Sequence, residues 1–249
     1  MKQITSVKNQ QIKEWKKLYT KKERDKQGLF LIEGYHLVEE ALKENFIDHL
    51  IVHENMDIPH TWNYGDIPVT IVTDDVMKVL SDTEAPQGIM AVCHKQEEQL
   101  AKLNVAGKKF LLIDSVQDPG NIGTMIRTAD AAGMDAVILG EGCADPYNPK
   151  VVRSTQGSLF HLPILKAPLD EFLNKINIPV YGTALEGGIP YQEVEPSNEF
   201  ALLVGNEGQG VSKHLLAKTT KNLYIPIYGK SESLNVAIAA SILMYYLRK

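Results

Sequence analysis

The sequence predicts an α/β protein of two unequal parts, a small amino-terminal α/β unit and a larger carboxyl-terminal unit on a mostly parallel sheet. Three observations lead there. From Phe110 onward, short apolar runs alternate with helical patterns, the order that builds a parallel sheet covered on both faces. Before His94 a smaller set of strand and helix patterns repeats the theme. Between Lys95 and Lys109 the chain turns polar and charged, with Gln-Glu-Glu-Gln and Gly-Lys-Lys, which marks a boundary. The expected division is residues 1–97, a linker at 98–108, and 109–249.

Taken in order, Ile12, Trp15 and Leu18 recur at helical spacing among lysines and predict an amphipathic helix near Ser6 to Tyr19. Leu29 to Ile32 reads as a strand. Leu37, Val38, Ala41 and Leu42 then place a helix after Glu33-Gly34-Tyr35. Strands follow at Ile47 to Val52, Val69 to Val72 and Ile89 to Cys93, with a short helix at Val76 to Leu80. In the second half, strands are expected at Phe110 to Ile113, Ala136 to Leu139, Leu162 to Leu165, Val180 to Ala184, Ala201 to Val204 and Leu223 to Ile227. Helices are expected after Gln117, around Lys150 to Gln156 and Leu169 to Ile176, and from about Leu234 to Leu247. The last is apolar on nearly every side, so it should be buried within the domain or against a second chain, which points to a dimer.

Composition removes several function classes. No apolar stretch is long enough to span a bilayer and the first residues lack an apolar signal region, so the cytoplasm is the expected location, with no membrane. Cys93 and Cys143 are isolated and form no metal-binding spacing or disulfide framework, and no metal is expected. Net charge is −5, yet residues 1–26 carry nine basic side chains against three acidic ones. Lys8, Lys13, Lys16, Lys17, Lys21, Lys22 and Arg24 are therefore candidates for tracking nucleic-acid phosphates. A solvated helix face explains the same run.

Three motifs carry chemistry. Gln117-Asp-Pro-Gly-Asn-Ile-Gly-Thr-Met-Ile-Arg127 follows an apolar strand run and enters an alanine-rich helix, a strand, loop and helix unit of the kind that holds ligands at strand carboxyl ends. Asn121 can cap that helix or fix the loop. Gly205-Asn206-Glu207-Gly208-Gln209-Gly210 follows the strand run Ala201 to Val204, and its glycines let backbone approach a ligand. Their order is not that of a dinucleotide-binding loop, which counts against an ordinary nucleotide-dependent enzyme. Ile225-Pro226-Ile227 then leads through Lys230 to Ser233-Leu234-Asn235-Val236, where two polar side chains open an apolar helix. Capping explains Ser233 but not Asn235 as well.

In this order the motifs resemble the SpoU/TrmH family of RNA ribose 2′-O-methyltransferases, of the SPOUT class, over essentially the whole chain. Phe30-Leu31-Ile32-Glu33-Gly34 and Pro86-Gln87-Gly88-Ile89 are similar to the amino-terminal substrate-binding domain of many members. The resemblance implies a carboxyl-terminal domain tied in a trefoil knot, against the general rule on threaded chains, a homodimer, and S-adenosyl-L-methionine as cofactor. It implies that Arg127, Asn121, Glu207, Ser233 and Asn235 surround the methyl-transfer centre. Thr183, Gly205, Ile225, Ile227 and Leu234 fall at cofactor-binding positions. Lys230 departs from the pattern, placing a charge where members often have small or apolar residues.

A guanidinium stays protonated near neutral pH, so Arg127 is expected to act as a cation beside the developing alkoxide and the adjacent phosphate rather than as a base. The two-part layout favours ribosomal RNA as substrate. The alternatives are a transfer RNA substrate, or a non-catalytic RNA-binding or ribosome-assembly protein on the same fold.

Overall fold

The computed structural model describes residues 2–96, 100 and 103–249. Residues 98, 99, 101 and 102 of the expected linker lie outside the described residues. The chain divides into two compact units. The first comprises the described residues up to Gln96 together with Tyr147–Phe160, and the second the remainder. The carboxyl-terminal domain expected at 109–249 is thus interrupted, because Tyr147–Phe160 packs with the amino-terminal unit.

The first unit contains β1 (Lys2–Ile4), α1 (Gln10–Lys17), α2 (Lys21–Gln27), β2 (Leu29–Glu33), α3 (Tyr35–Lys43), β3 (Ile47–His53), β4 (Val69–Val72), α4 (Asp74–Leu80) and β5 (Ile89–His94). Its sheet runs β1-β4-β3-β5-β2, with β1, β4 and β3 parallel and β5 antiparallel to both neighbours. Ile12, Trp15 and Leu18 bury one face of α1 against Val76, Met77 and Leu80 of α4. Asn9 caps α1 by accepting from the Gln11 N–H at 2.8 Å.

The second unit begins at β6 (Lys109–Ile113) and α5 (Pro119–Ala131), followed by β7 (Ala136–Leu139). The chain then supplies α6 (Pro149–Thr155) to the first unit, where the rings of Tyr147 and Phe160 meet Phe30 with centroids 4.9 and 6.3 Å away. It returns for β8 (Ile164–Lys166), α7 (Leu169–Lys175), β9 (Val180–Thr183), β10 (Ile189–Pro190), β11 (Phe200–Val204), α8 (Lys213–Leu216), β12 (Lys221–Tyr224) and α9 (Val236–Leu247).

The second sheet runs β10-β12-β9-β11-β6-β7-β8, and every adjacent pair is parallel. Its central strands β6, β7 and β11 are buried along nearly their whole length, which is why they read as unbroken apolar runs. From β6 the chain builds outward through β7 and β8 on one side, and on the other side β11 returns to lie against β6. The strand order therefore reverses at β6, and the crevice at the carboxyl ends of β6 and β11 is where open α/β sheets take ligands.

Candidate active site

Two loops and two helix ends of the second unit meet at that crevice. After β6 the chain reaches Asp118, whose carboxylate caps α5 by accepting from the Asn121 N–H at 2.8 Å. The cap is Asp118 and not Asn121, which leaves the Asn121 amide free to reach outward from the first turn. Asn235 caps α9, its Oδ1 accepting from the N–H groups of Ala237 and Ile238 at 2.9 and 3.3 Å. Ser233 does not cap; it is exposed, and its carbonyl accepts from Ser231 Oγ at 2.9 Å.

Capping fixes the polarity of the whole network. With Oδ1 turned to its helix, Asn235 has only Nδ2 to offer, and it donates to Asn121 Oδ1 at 2.9 Å. Asn121 Nδ2 must then find an acceptor, and it donates to Glu207 Oε1 at 3.1 Å. The Asp118 N–H also reaches Glu207 Oε1, at 3.3 Å. Slight burial pushes the Glu207 carboxyl up, but the hydrogen bonds from Asn121 and backbone N–H groups outweigh it and hold the group below its ordinary value. Asn121, Glu207 and Asn235 are brought together; Ser233 sits two residues before the cap.

Arg127 lies on the same helix as Asn121, exposed, with no hydrogen bond or ion pair among the described residues. Packing does not demand a cation there, and the guanidinium is available to an incoming ligand.

The glycine-rich loop is shaped by residues the motif reading passed over. Asp114, buried at the end of β6, accepts from the Ser212 N–H at 2.8 Å and from Ser212 Oγ at 2.7 Å. Asn206 Oδ1 accepts from the N–H groups of Gly208 and Gln209, while its Nδ2 donates to the Ser115 carbonyl at 2.9 Å. A Cβ on Gly205 would overlap the backbone of Gly210 and Val211, so only glycine closes this loop. The available signal was a carboxylate directly ending an apolar strand run, at Asp114.

The cofactor candidates occupy the carboxyl ends of three adjacent strands. Thr183 ends β9 and donates from Oγ1 to the Leu203 carbonyl at 3.2 Å. Gly205 follows β11, and Ile225 and Ile227 follow β12, half-buried. No backbone hydrogen bond outside the regular elements engages residues 225–228 among the described residues. Apolar side chains beside uncommitted backbone groups are what an adenine face and edge require, so the residues present fit S-adenosylmethionine. Leu234 is exposed on the same connection.

Of the basic candidates in the first unit, Lys8, Lys13, Lys16, Lys17, Lys21 and Lys22 are exposed, Lys17 being paired with Glu14 at 2.8 Å. Arg24 is not available to RNA. It is 3% exposed, and Nη1 donates to the carbonyls of Leu18 and Tyr19, both at 2.9 Å. Helix α2 has no apolar residue to bury, and the Arg24 stem takes that role. Both cysteines are free; burial pushes the Cys143 thiol up, which disfavours its thiolate. No helix of the described residues is long and apolar enough to cross a membrane.

Known proteins resemble the chain in sequence and in fold. The SpoU rRNA Methylase family description covers residues 108–245, and an MRM3-like substrate binding domain covers residues 9–91. The chain is 54% identical to a Bacillus subtilis 23S rRNA (guanosine(2553)-2'-O)-methyltransferase, over 100% of both chains. It is similar to the AdoMet-bound rRNA methyltransferase structure from Sinorhizobium meliloti, with TM-score 0.89, 31% identity, and coverage of 99% of this chain and 97% of the other. An RNA 2'-O ribose methyltransferase crystal structure gives TM-score 0.85 at 32% identity, covering 98% and 97%. The class defined is that of α/β methyltransferases of the SPOUT type. The chain belongs to the SpoU rRNA methylase family.

Proposed function

We propose that this protein uses S-adenosyl-L-methionine to methylate a ribose 2′-oxygen in 23S-type ribosomal RNA, at the guanosine corresponding to the one modified by the Bacillus relative. The carrying observation is the hydrogen-bonded chain Asn235–Asn121–Glu207, anchored on the helix that presents an unpartnered Arg127. Full-length similarity to ribosomal RNA enzymes, through both units, favours ribosomal over transfer RNA.

Bound S-adenosylmethionine supplies an electrophilic methyl group on a sulfonium. The protein's part is to hold the ribose hydroxyl in line with it and to exclude water. As a guanidinium, Arg127 brings a cation and a fork of N–H donors, so it meets the ribose oxygen as charge develops there and holds the neighbouring phosphate through its second face of donors. Glu207, ionised and tied to Asn121, keeps the two loops at a fixed spacing. Asn235 sets where α9 begins, and with it the path of 225–235; Ser233 contributes a polar group on that path. Thr183, Gly205, Ile225, Ile227 and Leu234 line the cofactor side.

The same reading places the second unit's chain in a trefoil knot and pairs two copies of the protein. Helix α9 supports pairing: Ile238 and Tyr245 stand 49% and 55% exposed on a helix that carries no charged residue. The amino-terminal part, expected at residues 1–97, serves as the substrate-binding part, with the exposed lysines of α1 and α2 toward phosphates, and the working location is the cytoplasm.

The test is nucleotide mapping. Unmodified 23S rRNA incubated with the protein and methyl donor should acquire one 2′-O-methylguanosine, located by reverse-transcription stops and mass spectrometry. Methyl transfer confined to transfer RNA would overturn the substrate assignment.

A further inference from the structure

Tyr228 is 91% exposed, far above the next most exposed large apolar side chain, Leu185 at 63%. Among the described residues its hydroxyl makes no hydrogen bond and its ring no ring contact. Isolated exposed tyrosines are ordinary on protein surfaces, so exposure alone assigns nothing. Its place on the chain does. Tyr228 stands in the connection from β12 to α9, whose near end, Ile225 and Ile227, lines the cofactor side and whose far end, Asn235, is bonded to Asn121. The ring therefore rides on a segment that leaves the sheet beside the cofactor candidates and reaches the site again at Asn235.

Its surroundings indicate the occupant. Gly229, Lys230, Ser231 and Glu232 are all exposed, and a Cβ at Gly229 would meet nothing within 4 Å. Lys230 makes no ion pair among the described residues. A second copy of the chain would be met by a contiguous apolar surface, and that surface is on α9, at Ile238 and Tyr245, not among glycine, serine and charge. An open planar ring two residues from a free ammonium suits one nucleotide: the base stacks on the ring and the phosphate meets the cation.

We propose that Tyr228 is a substrate-positioning residue that stacks on a nucleobase next to the ribose being methylated, with Lys230 at that nucleotide's phosphate. This rests on the RNA methyltransferase reading and adds to it a specific RNA contact. Stacking holds the target strand splayed against the site, which in-line attack on the 2′-oxygen requires.

The experiment is methyl transfer by the full chain to an unmodified 23S rRNA transcript at varied RNA concentration, with cofactor affinity by calorimetry and mass by sedimentation. Variants are Tyr228→Ala, Tyr228→Phe and Tyr228→Trp. Tyr228→Ala should raise KM for RNA about tenfold or more with cofactor affinity and mass unchanged. Phe and Trp should restore KM, since the ring and not the hydroxyl is used. Lys230→Ala should lower the salt dependence of RNA binding by about one phosphate contact. Unchanged KM in Tyr228→Ala overturns the proposal, as does failure of both aromatic variants to restore it. A change in sedimented mass overturns it in favour of a contact between copies. A wild-type protein that binds cofactor but methylates no RNA overturns the methyltransferase reading itself, and the proposal with it.

Discussion

Asn235 Nδ2 lies 2.9 Å from Asn121 Oδ1, joining the start of α9 to the first turn of α5 across 114 positions of sequence. One side chain thus does two jobs, capping its own helix with Oδ1 and holding the neighbouring one with Nδ2.

The two jobs separate in mutants. Asn235→Asp keeps the cap, since Asp and Asn cap about equally well, but loses the donor and sets a second carboxylate near Glu207. Thermal stability should stay close to wild type while methyl transfer falls sharply. Asn235→Ala loses both and should cost about 1 kcal/mol in urea unfolding as well. Equal activity in Asn235→Asp and wild type would remove the Asn235–Asn121 contact from the mechanism.

Glu207 gives a pH signature. Its carboxyl is held below its ordinary value of 4.5, so its contribution to stability is complete above that pH and is lost as pH falls through the lower folded value. The stability difference between wild type and Glu207→Gln should be flat between about pH 5 and 8 and shrink below pH 4.5. Denaturation at a series of pH values reads this directly; a difference that shrinks on going above neutral pH would contradict it.

Gly205→Ala should destabilise the protein by about 1–3 kcal/mol, the usual cost of forcing an atom into a filled space, because the new Cβ meets the Gly210 and Val211 backbone. Cofactor affinity, measured by calorimetry on the folded fraction, should fall with it. Gly208→Ala, where a Cβ meets nothing nearer than Asn206 Oδ1 at 3.6 Å, is the control and should be tolerated.

Arg24 and Lys21 should part company. Arg24→Ala leaves the Leu18 and Tyr19 carbonyls without their donor and should cost about 1–3 kcal/mol. Lys21→Ala should leave stability unchanged within about 0.5 kcal/mol and flatten the salt dependence of RNA binding. Filter binding at several salt concentrations and urea unfolding distinguish them.

What the sequence conveyed and what it withheld follow from the same physics. Central strands such as Phe200–Val204 are visible because burial on both faces demands continuous apolar residues. The expected strand Leu223 to Ile227 ends at Tyr224, before Pro226, which has no N–H to give a ladder. Helix α2 reads Lys-Lys-Glu-Arg-Asp-Lys-Gln and shows no apolar stripe; its buried contact is a charged side chain. Strand β1 has three residues, too few for an alternating pattern. The helical pattern near Lys150 to Gln156 shows that Val151 and Val152 are buried but not which core receives them. Within the site, Arg127, Asn121, Glu207 and Asn235 stood out as polar residues in apolar or glycine-rich contexts. The choice of Asn235 over Ser233 as cap depends on where α9 starts, which two good capping residues in succession leave open.

The central claim is that Arg127 acts as a cation at the transferring oxygen. The most direct measurement is transfer of labelled methyl groups from S-adenosylmethionine to unmodified 23S rRNA by wild type, Arg127→Lys and Arg127→Ala. Because Arg127 is exposed and unpaired among the described residues, all three should fold and bind cofactor alike. Arg127→Ala should lose about 100- to 1,000-fold in rate, and Arg127→Lys should recover only part, since an ammonium lacks the planar fork. Full activity in either variant, with methyl groups still entering the RNA, would contradict the account.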